Sequence, residues 1–483
     1  MSVLPLAARP LVRPAPARRR PLSLALLVLA LLPAGSRAQA LTDTERAKVD
    51  SIARGVLMET GAPSASVAVV RGGVIAYEQA YGTARINPDV AASPQMRYAI
   101  GSVSKQFTAT AILLLAEEGK LKLDDPVSRY LPGLTRGTDV TIRQLLSMTS
   151  GYQDYWPQDY VMVDMQRPVT AREIMQRWAA KPLDFEPGSK WQYSNTNYVL
   201  AGAIVEKVSR MAFLDFLKQR IFTPLGMTTV ANYDAGPLSA MDAAPLLRNG
   251  LGPLRLAPKE GPGWLFAAGQ LAMTAHDLAL WDIGIMDQKV LKPASYRAQQ
   301  TDMLLTSGLS TGYGLGVDVS QLGEHRRISH TGAVSGYTTS NQVFPEARAA
   351  VVVFTNIYPG GGGASSRIGA RVASMLFAPA DTAGATALAD ARAMYDELTK
   401  GRIDRSRLTV SANAYFTDEV LADYAASLGP LGAPSAFTRG GESLRGGMVI
   451  RSYRIAAGGR SLALTTMTMP DGKIEQYIVE KVN

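Results

Sequence analysis

The sequence predicts an α/β layered domain, with an antiparallel sheet and a helical subdomain, followed by a small α+β domain. Three observations carry this expectation. β-Branched, alternating runs lie towards both ends of the first 377 residues, and helix-period patterns fill the stretch between them. A short stretch of small residues, APADTAGATA (378–387), then reads as a linker. Beyond it the texture changes to two helical patterns and three alternating runs.

Taken in order, TDTERAKVDSIARGVLMETG (42–61) has the period of a helix. SASVAVVRGGVIAYEQAYG (64–82) reads as a hairpin turning at Gly72-Gly73. An apolar helix begins at Ser102 and stops at Gly119. Helical patterns recur at 141–148, 171–179, 196–208 and 211–221. Strands return at TGYGLGVDV (311–319), RRISHTGAVSGYTTSNQVFP (326–345) and AAVVVFTN (349–356), and SSRIGARVASMLF closes the domain as a helix. The expected boundaries are 41–380 for the first domain and 381–483 for the second. In the second, helices at about 388–400 and 415–427 precede strands that turn at Gly458-Gly459 and Asp471-Gly472.

Composition narrows the function classes. The formal charge of +9 invites a nucleic-acid partner, but Arg9, Arg13, Arg18, Arg19, Arg20 and Arg37 crowd into the first 40 residues. Subtracting these six leaves +3, which implies no polyanion partner. The same arginines precede PLSLALLVLALLPAG and SRAQA, the layout of a secretory signal peptide over about 1–40. Arg19-Arg20 raise the twin-arginine route, but the residues that follow fit Sec export better. The expected mature protein is exported, periplasmic or secreted, with no stable membrane span. With no cysteine, disulfides, thiol catalysis and an N-terminal lipid-bearing cysteine are excluded. The three histidines show no metal-ligand spacing, so neither metal nor cofactor is expected. Oligomeric state is not readable.

The chemistry is carried by three short motifs. Ser102 and Lys105 form S-x-x-K at a helix start, where unpaired N–H groups favour negative charge and one turn of helix puts both side chains on one face. Lys105, half-buried beside another cation, would have a lowered pKa and act as a base. Taken alone, the pair is better read as a serine cap and a lysine reaching solvent. Tyr193-Ser194-Asn195 lie just before a helix, where Asn195 also suits an N-cap, and His330-Thr331-Gly332 lie on a late strand.

S-x-x-K, Y-x-N and H-T-G in this order resemble the penicillin-recognising serine hydrolases: class C β-lactamases, D-alanyl-D-alanine carboxypeptidases, D-aminopeptidases and related esterases. VTIRQLLSMTSGY, FEPGSKWQYSNTNYVLAG, IFTPLGM and GPGWLFAAGQLAMTAHDLALW add to the resemblance, which spans about 45–377. It implies a β-lactamase/transpeptidase-like fold with helices on both sheet faces, and an acyl-enzyme on Ser102. Lys105 and Tyr193 would share the proton work, with the phenol acidified by the neighbouring ammonium. Asn195 would orient Lys105 and hold a substrate amide. His330 and Thr331, with Gly332 and Ala333, would line the substrate-binding strand, and the N–H groups of Ser102 and Ala333 would form the oxyanion hole.

Two departures stand out: Met148 replaces the histidine common in LLxHTSG, and Gln270 replaces a common glycine. The aromatic-rich segment 151–168, with Tyr152, Tyr155, Trp156 and Tyr160, fits a substrate wall and self-packing alike. The implied activity is hydrolysis of an amide or ester in a small molecule or peptide, with cell-wall D-amino-acid peptides among the candidates. β-Lactam hydrolysis would be weak, because His330 replaces the permanent cation of K-T-G. The rival reading is a penicillin-recognising sensor or binding module that acylates without turnover.

Overall fold

The computed structural model describes residues 40–236, 238–377 and 382–482. The expected leader therefore lies outside the described residues save Ala40, as does the start of the expected linker. From Thr382 onward that linker is helix instead: its alanines and threonines leave no Gly-Pro break before the helical pattern that follows. The described chain divides into two compact units, the first ending at Ser374 and the second starting at Met375.

The first unit runs α1 (Asp43–Thr60), β1 (Ser64–Arg71), β2 (Val74–Arg85), β3 (Val90–Ala91), α2 (Ser104–Glu117), α3 (Asn195–Ser209), α4 (Phe266–Gly269), α5 (Ala275–Met286), β4 (Asp318–Leu322), β5 (His325–Val334), β6 (Tyr337–Phe344), β7 (Ala349–Thr355) and α6 (Ala364–Phe377), with shorter pieces between. Its sheet has the order β3-β2-β1-β7-β6-β5-β4, and the pairings β2-β1, β1-β7, β7-β6, β6-β5 and β5-β4 are antiparallel. The first and last strands of the domain thus meet at its centre, with Val67 opposite Val353.

Successive side chains of a strand point to opposite faces. Ala68 and Val70 enter the main core, and Val67 and Val69, equally buried, point the other way. Helices must therefore cover both faces. α1 covers one of them through Val49, Ala53 and Val56, and its Glu59 bridges Arg367 and Arg371 of α6. The start of α1 is fixed by a capping box in which Thr42 and Glu45 satisfy each other's backbone N–H groups. The helical subdomain contributes α3, buried from Thr196 to Gly202.

Three expected elements differ. The helical patterns at 171–179 and 211–221 end in π-helical turns, Met175–Ala179 and Lys218–Phe222. The strand expected over 311–319 forms only from Asp318, because Gly312 (φ +68°) and Gly316 (φ +78°) turn the chain. The second unit contains α7 (Thr382–Leu398), α8 (Asp418–Leu428) and a sheet in the order β8 (Ala436–Arg445), β9 (Met448–Ala457), β10 (Arg460–Thr468), β11 (Ile474–Lys481). Tyr395, Leu398, Leu421, Tyr453, Leu464 and Tyr477 form its own core. Strand β8 escapes a pattern search because the Gly440-Gly441 pair lies at a register shift between Arg439 and Glu442. No helix among the described residues is long and apolar enough to cross a membrane.

Candidate active site

The site begins where the chain turns into α2. Gly101 (φ +52°) adopts a left-handed conformation, and Gly101–Val103 form a single 3₁₀ turn that feeds the helix. On the facing strand, a Cβ on Gly332 would lie 1.9 Å from the carbonyl oxygen of Ile100, and one on Gly101 would lie 2.8 Å from the nitrogen of Ala333. Two glycines thus let the Ser102 turn rest directly on β5, which brings the backbone of Ser102 and Ala333 together. Thr339 Oγ1 clamps the contact by donating to Ile100 O at 2.9 Å.

Ser102 caps nothing: the start of α2 has no side-chain cap hydrogen bond. Lys105 does not reach solvent either, with 0% exposure. Its Nζ lies 2.9 Å from Ser102 Oγ, 2.8 Å from Asn195 Oδ1 and 2.9 Å from Ala268 O. Burial lowers the Lys105 pKa to about 7, partly opposed by Asp154. The sequence reading placed a second cation beside it; the neighbouring charge is instead a carboxylate.

This contact set has a chemical consequence. A neutral amine has two N–H bonds and one lone pair. Asn195 Oδ1 and Ala268 O can only accept, so they take both N–H bonds and leave the lone pair for the Ser102 hydroxyl proton. Tyr193 Oη donates to the same Ser102 Oγ at 2.7 Å. Burial holds the Tyr193 phenol above its ordinary pKa, despite the bond to Ser102 that favours ionisation. The expectation of an acidified tyrosine beside an ammonium is therefore reversed. Lysine is the group poised to be neutral, and tyrosine the one poised to donate.

Asn195 is not the N-cap of α3; Ser194 is, and Asn195 is the first helical residue. Its backbone N–H donates to Asp154 Oδ1 at 2.9 Å. Met148, in place of the expected histidine, has a buried thioether facing the Ser194 N–H at 3.4 Å and Asn197 Nδ2 at 3.6 Å. Gln270 follows α4 at φ −72°, where no glycine is required.

His330 is 4% exposed and fully engaged. Its Nδ1 lies 2.5 Å from Thr331 O and its Nε2 2.9 Å from Tyr313 Oη. Because a carbonyl only accepts, Nδ1 carries the proton and Nε2 accepts from Tyr313. Burial and the Lys105 charge push its pKa down to about 3. The ring, although on the substrate-binding strand, offers no spare N–H to a substrate and holds Tyr313 instead. Thr331 and Ala333 point to the exposed side of β5, while Gly332 is buried against the Ser102 turn.

Above these groups lies a cleft of ≈ 480 Å³, walled by Ser102, Tyr193, Asn195, Thr331, Ala333 and the 154–159 loop, and backed by Tyr358. The aromatic segment divides its work: Tyr152 packs into the main core, Tyr155 and Trp156 face the cleft, and Tyr160 is exposed. Among the described residues, the charged side chains of the lining are Asp154 and Asp159, with neither lysine nor arginine. Sequence reasoning missed Asp154, Tyr313 and the Ala268 carbonyl. The Asp in GYQDYWP was visible, but its partner lies 41 residues away. No group of three metal-ligating side chains occurs among the described residues.

A Ser–Lys–Tyr constellation between an antiparallel sheet and a helical subdomain defines a serine hydrolase. The chain belongs to the beta-lactamase family, whose family model matches residues 41–373. It is 30% identical over 306 residues to penicillin-binding protein 4* of Bacillus subtilis, covering 60% of this chain and 67% of that one. It is 27% identical over 329 residues to protein flp of Staphylococcus aureus, covering 66% and 64%. Among solved structures it resembles the D-amino acid amidase of Ochrobactrum anthropi SV3 (TM-score 0.62, 22% identity, 69% of this chain and 98% of that one). It also resembles the octameric penicillin-binding protein homologue of Pyrococcus abyssi (TM-score 0.61, 20% identity, 91% and 100%). At these identities the structural likenesses establish the fold.

Proposed function

We propose that this protein is an exported hydrolase that forms an acyl-enzyme on Ser102 and cleaves uncharged or cationic amides and esters. D-Amino-acid amides or peptides and small esters are the favoured substrates, and β-lactams poor ones. The observation that carries this reading is the buried Lys105 amine, whose two N–H acceptors leave its lone pair to Ser102.

Lys105 takes the Ser102 proton as Oγ bonds to the carbonyl carbon, and the N–H groups of Ser102 and Ala333 receive the oxyanion. Tyr193 protonates the departing amine or alkoxide, leaving a phenolate beside the Lys105 ammonium. Water then attacks the acyl carbon and gives its proton to Tyr193, while Lys105 returns the first proton to Ser102. Substrate preference follows from charge. The cleft wall carries two carboxylates, and His330 stays neutral above a pKa of about 3. No fixed cation there would receive the carboxylate of a β-lactam or a peptide C-terminus. The D-amino acid amidase likeness is consistent with an amide substrate, and the 1–40 leader pattern supports export.

The test is labelling with a fluorophosphonate, followed by steady-state hydrolysis of a D-amino-acid p-nitroanilide, a p-nitrophenyl ester and nitrocefin. Labelling should require Ser102, and the first two substrates should exceed nitrocefin in kcat/KM. An initial burst without turnover on every substrate would favour the acylating sensor instead.

A further inference from the structure

We propose that Asp154 is a positioning residue whose carboxylate decides which end of the Asn195 amide faces Lys105, and so keeps the lysine lone pair turned towards Ser102. The inference rests on the reading of Lys105 as the base.

Asp154 Oδ1 accepts from the Asn195 backbone N–H at 2.9 Å, from Asn195 Nδ2 at 3.2 Å and from the Trp156 N–H at 3.2 Å. Asp154 Oδ2 accepts from the same Nδ2 at 3.3 Å. Burial raises the Asp154 pKa, opposed by the N–H groups of Trp156 and Asn195 and by the Lys105 charge; once ionised it presents acceptors only, so the amide must show it the NH₂ end. The oxygen is then forced to the other side, where it lies 2.8 Å from Lys105 Nζ. Reversing the amide would set two acceptors against each other at Asp154. It would also aim an N–H at Lys105, where only the lone pair could receive it. Such an amine is occupied and cannot take the Ser102 proton.

The carboxylate acts on Lys105 through charge as well. Tyr193, just before α3, and Tyr198 within it face the amine, with ring centroids 4.9 and 5.5 Å from Nζ. His330 faces it from β5 and is held neutral; Tyr313 lies behind His330, and Tyr155 beside Asp154. Asp318 of β4 bears on Tyr193 and is itself countered by Arg327. Asp154 is the carboxylate that favours the Lys105 ammonium. One side chain therefore orients the amide and holds the proton affinity of the base up against burial.

Two variants of the full chain separate these effects, assayed with p-nitrophenyl acetate across pH. D154N keeps an acceptor for the Asn195 N–H but has no charge. The acid limb of kcat/KM should move to lower pH, raising the ratio of activity at pH 5.5 to that at pH 8.5 by up to about tenfold. D154L has no acceptor, and kcat should fall about 100-fold with KM little changed. An unmoved acid limb in D154N overturns the proposal, as does a D154L enzyme within about threefold of the parent. If D154L does not fold, the D154N profile decides alone. Labelling that survives Ser102→Ala would sink the parent reading, whereas Ser102-dependent labelling with an unmoved D154N limb removes only the role of Asp154.

Discussion

Two side chains of the first unit, Lys105 on α2 and Asp282 on α5, both have 0% exposure, and burial drives both towards their neutral forms. What differs is the company each neutral form keeps. Lys105 has its N–H bonds matched to fixed acceptors and its lone pair turned to a hydroxyl at the floor of a cleft. Asp282 is sealed between α5 and β6, where its Oδ1 accepts from Asn341 Nδ2 at 2.9 Å. Asp282 Oδ2 and Asn341 Oδ1 have no hydrogen-bond partner among the described residues. Burial favours the protonated form of Asp282, so this acid holds its proton without passing it on. Burial makes a group neutral; access to a cleft decides whether neutrality becomes chemistry.

The sharpest way to break the comparison is at the cleft end. Ser102→Ala should reduce kcat/KM by about 10⁴-fold or more and abolish fluorophosphonate labelling with little change in Tm. Persistent labelling would remove Lys105's special standing. Next, Lys105→Ala and Tyr193→Phe should each cost about 10²–10⁴-fold in acylation rate, and the double variant little more, because they serve one proton circuit. Additive losses measured in single-turnover kinetics would mean that they act separately.

A third measurement is the pH profile. Log kcat/KM should rise with pH through about 7, as Lys105 gives up its proton. His330, with a pKa of about 3, should add no inflection between pH 5 and 9. A limb that falls with pH through 7 would contradict a lysine base.

The smallest effect belongs to the sealed end. A raised folded-state pKa means that the folded protein binds more protons, so the Asp282 contribution is fully present below the unfolded carboxylate pKa and is lost as pH rises. Asp282→Asn can make a reciprocal amide pair with Asn341 without a bound proton. It should raise Tm by a few degrees at pH 8, with less gain at pH 4 and unchanged kcat/KM. A larger gain at pH 4 than at pH 8 would show that Asp282 is ionised in the core.

Legibility followed sequence distance. Ser102 and Lys105 are one helical turn apart, and Tyr193 and Asn195 share a helix start, so each pair was legible locally, but only the resemblance carried by the three ordered motifs joined them into one site. The central hairpins announced themselves through unbroken β-branched runs such as Ala349–Thr355. What stayed hidden depends on long-range contact. Asp154 reaches Asn195 across 41 residues, and Tyr313 immobilises His330 from a segment that Gly312 and Gly316 turn, although its alternation reads as a strand. The direction of proton transfer was hidden too. A sequence can set a lysine near a tyrosine, but the burial that removes the lysine's charge appears only after folding.

The glycine contact under Ser102 has a consequence for how this enzyme can change. Any side chain at 332 would collide with the Ile100 carbonyl, and one at 101 with the Ala333 backbone. A saturation library selected for activity should therefore return glycine at both codons whatever substrate drives the selection. The chain that frames the attacking oxygen is closed to drift, which leaves other parts of the cleft lining, such as residues 155–159, for new specificities.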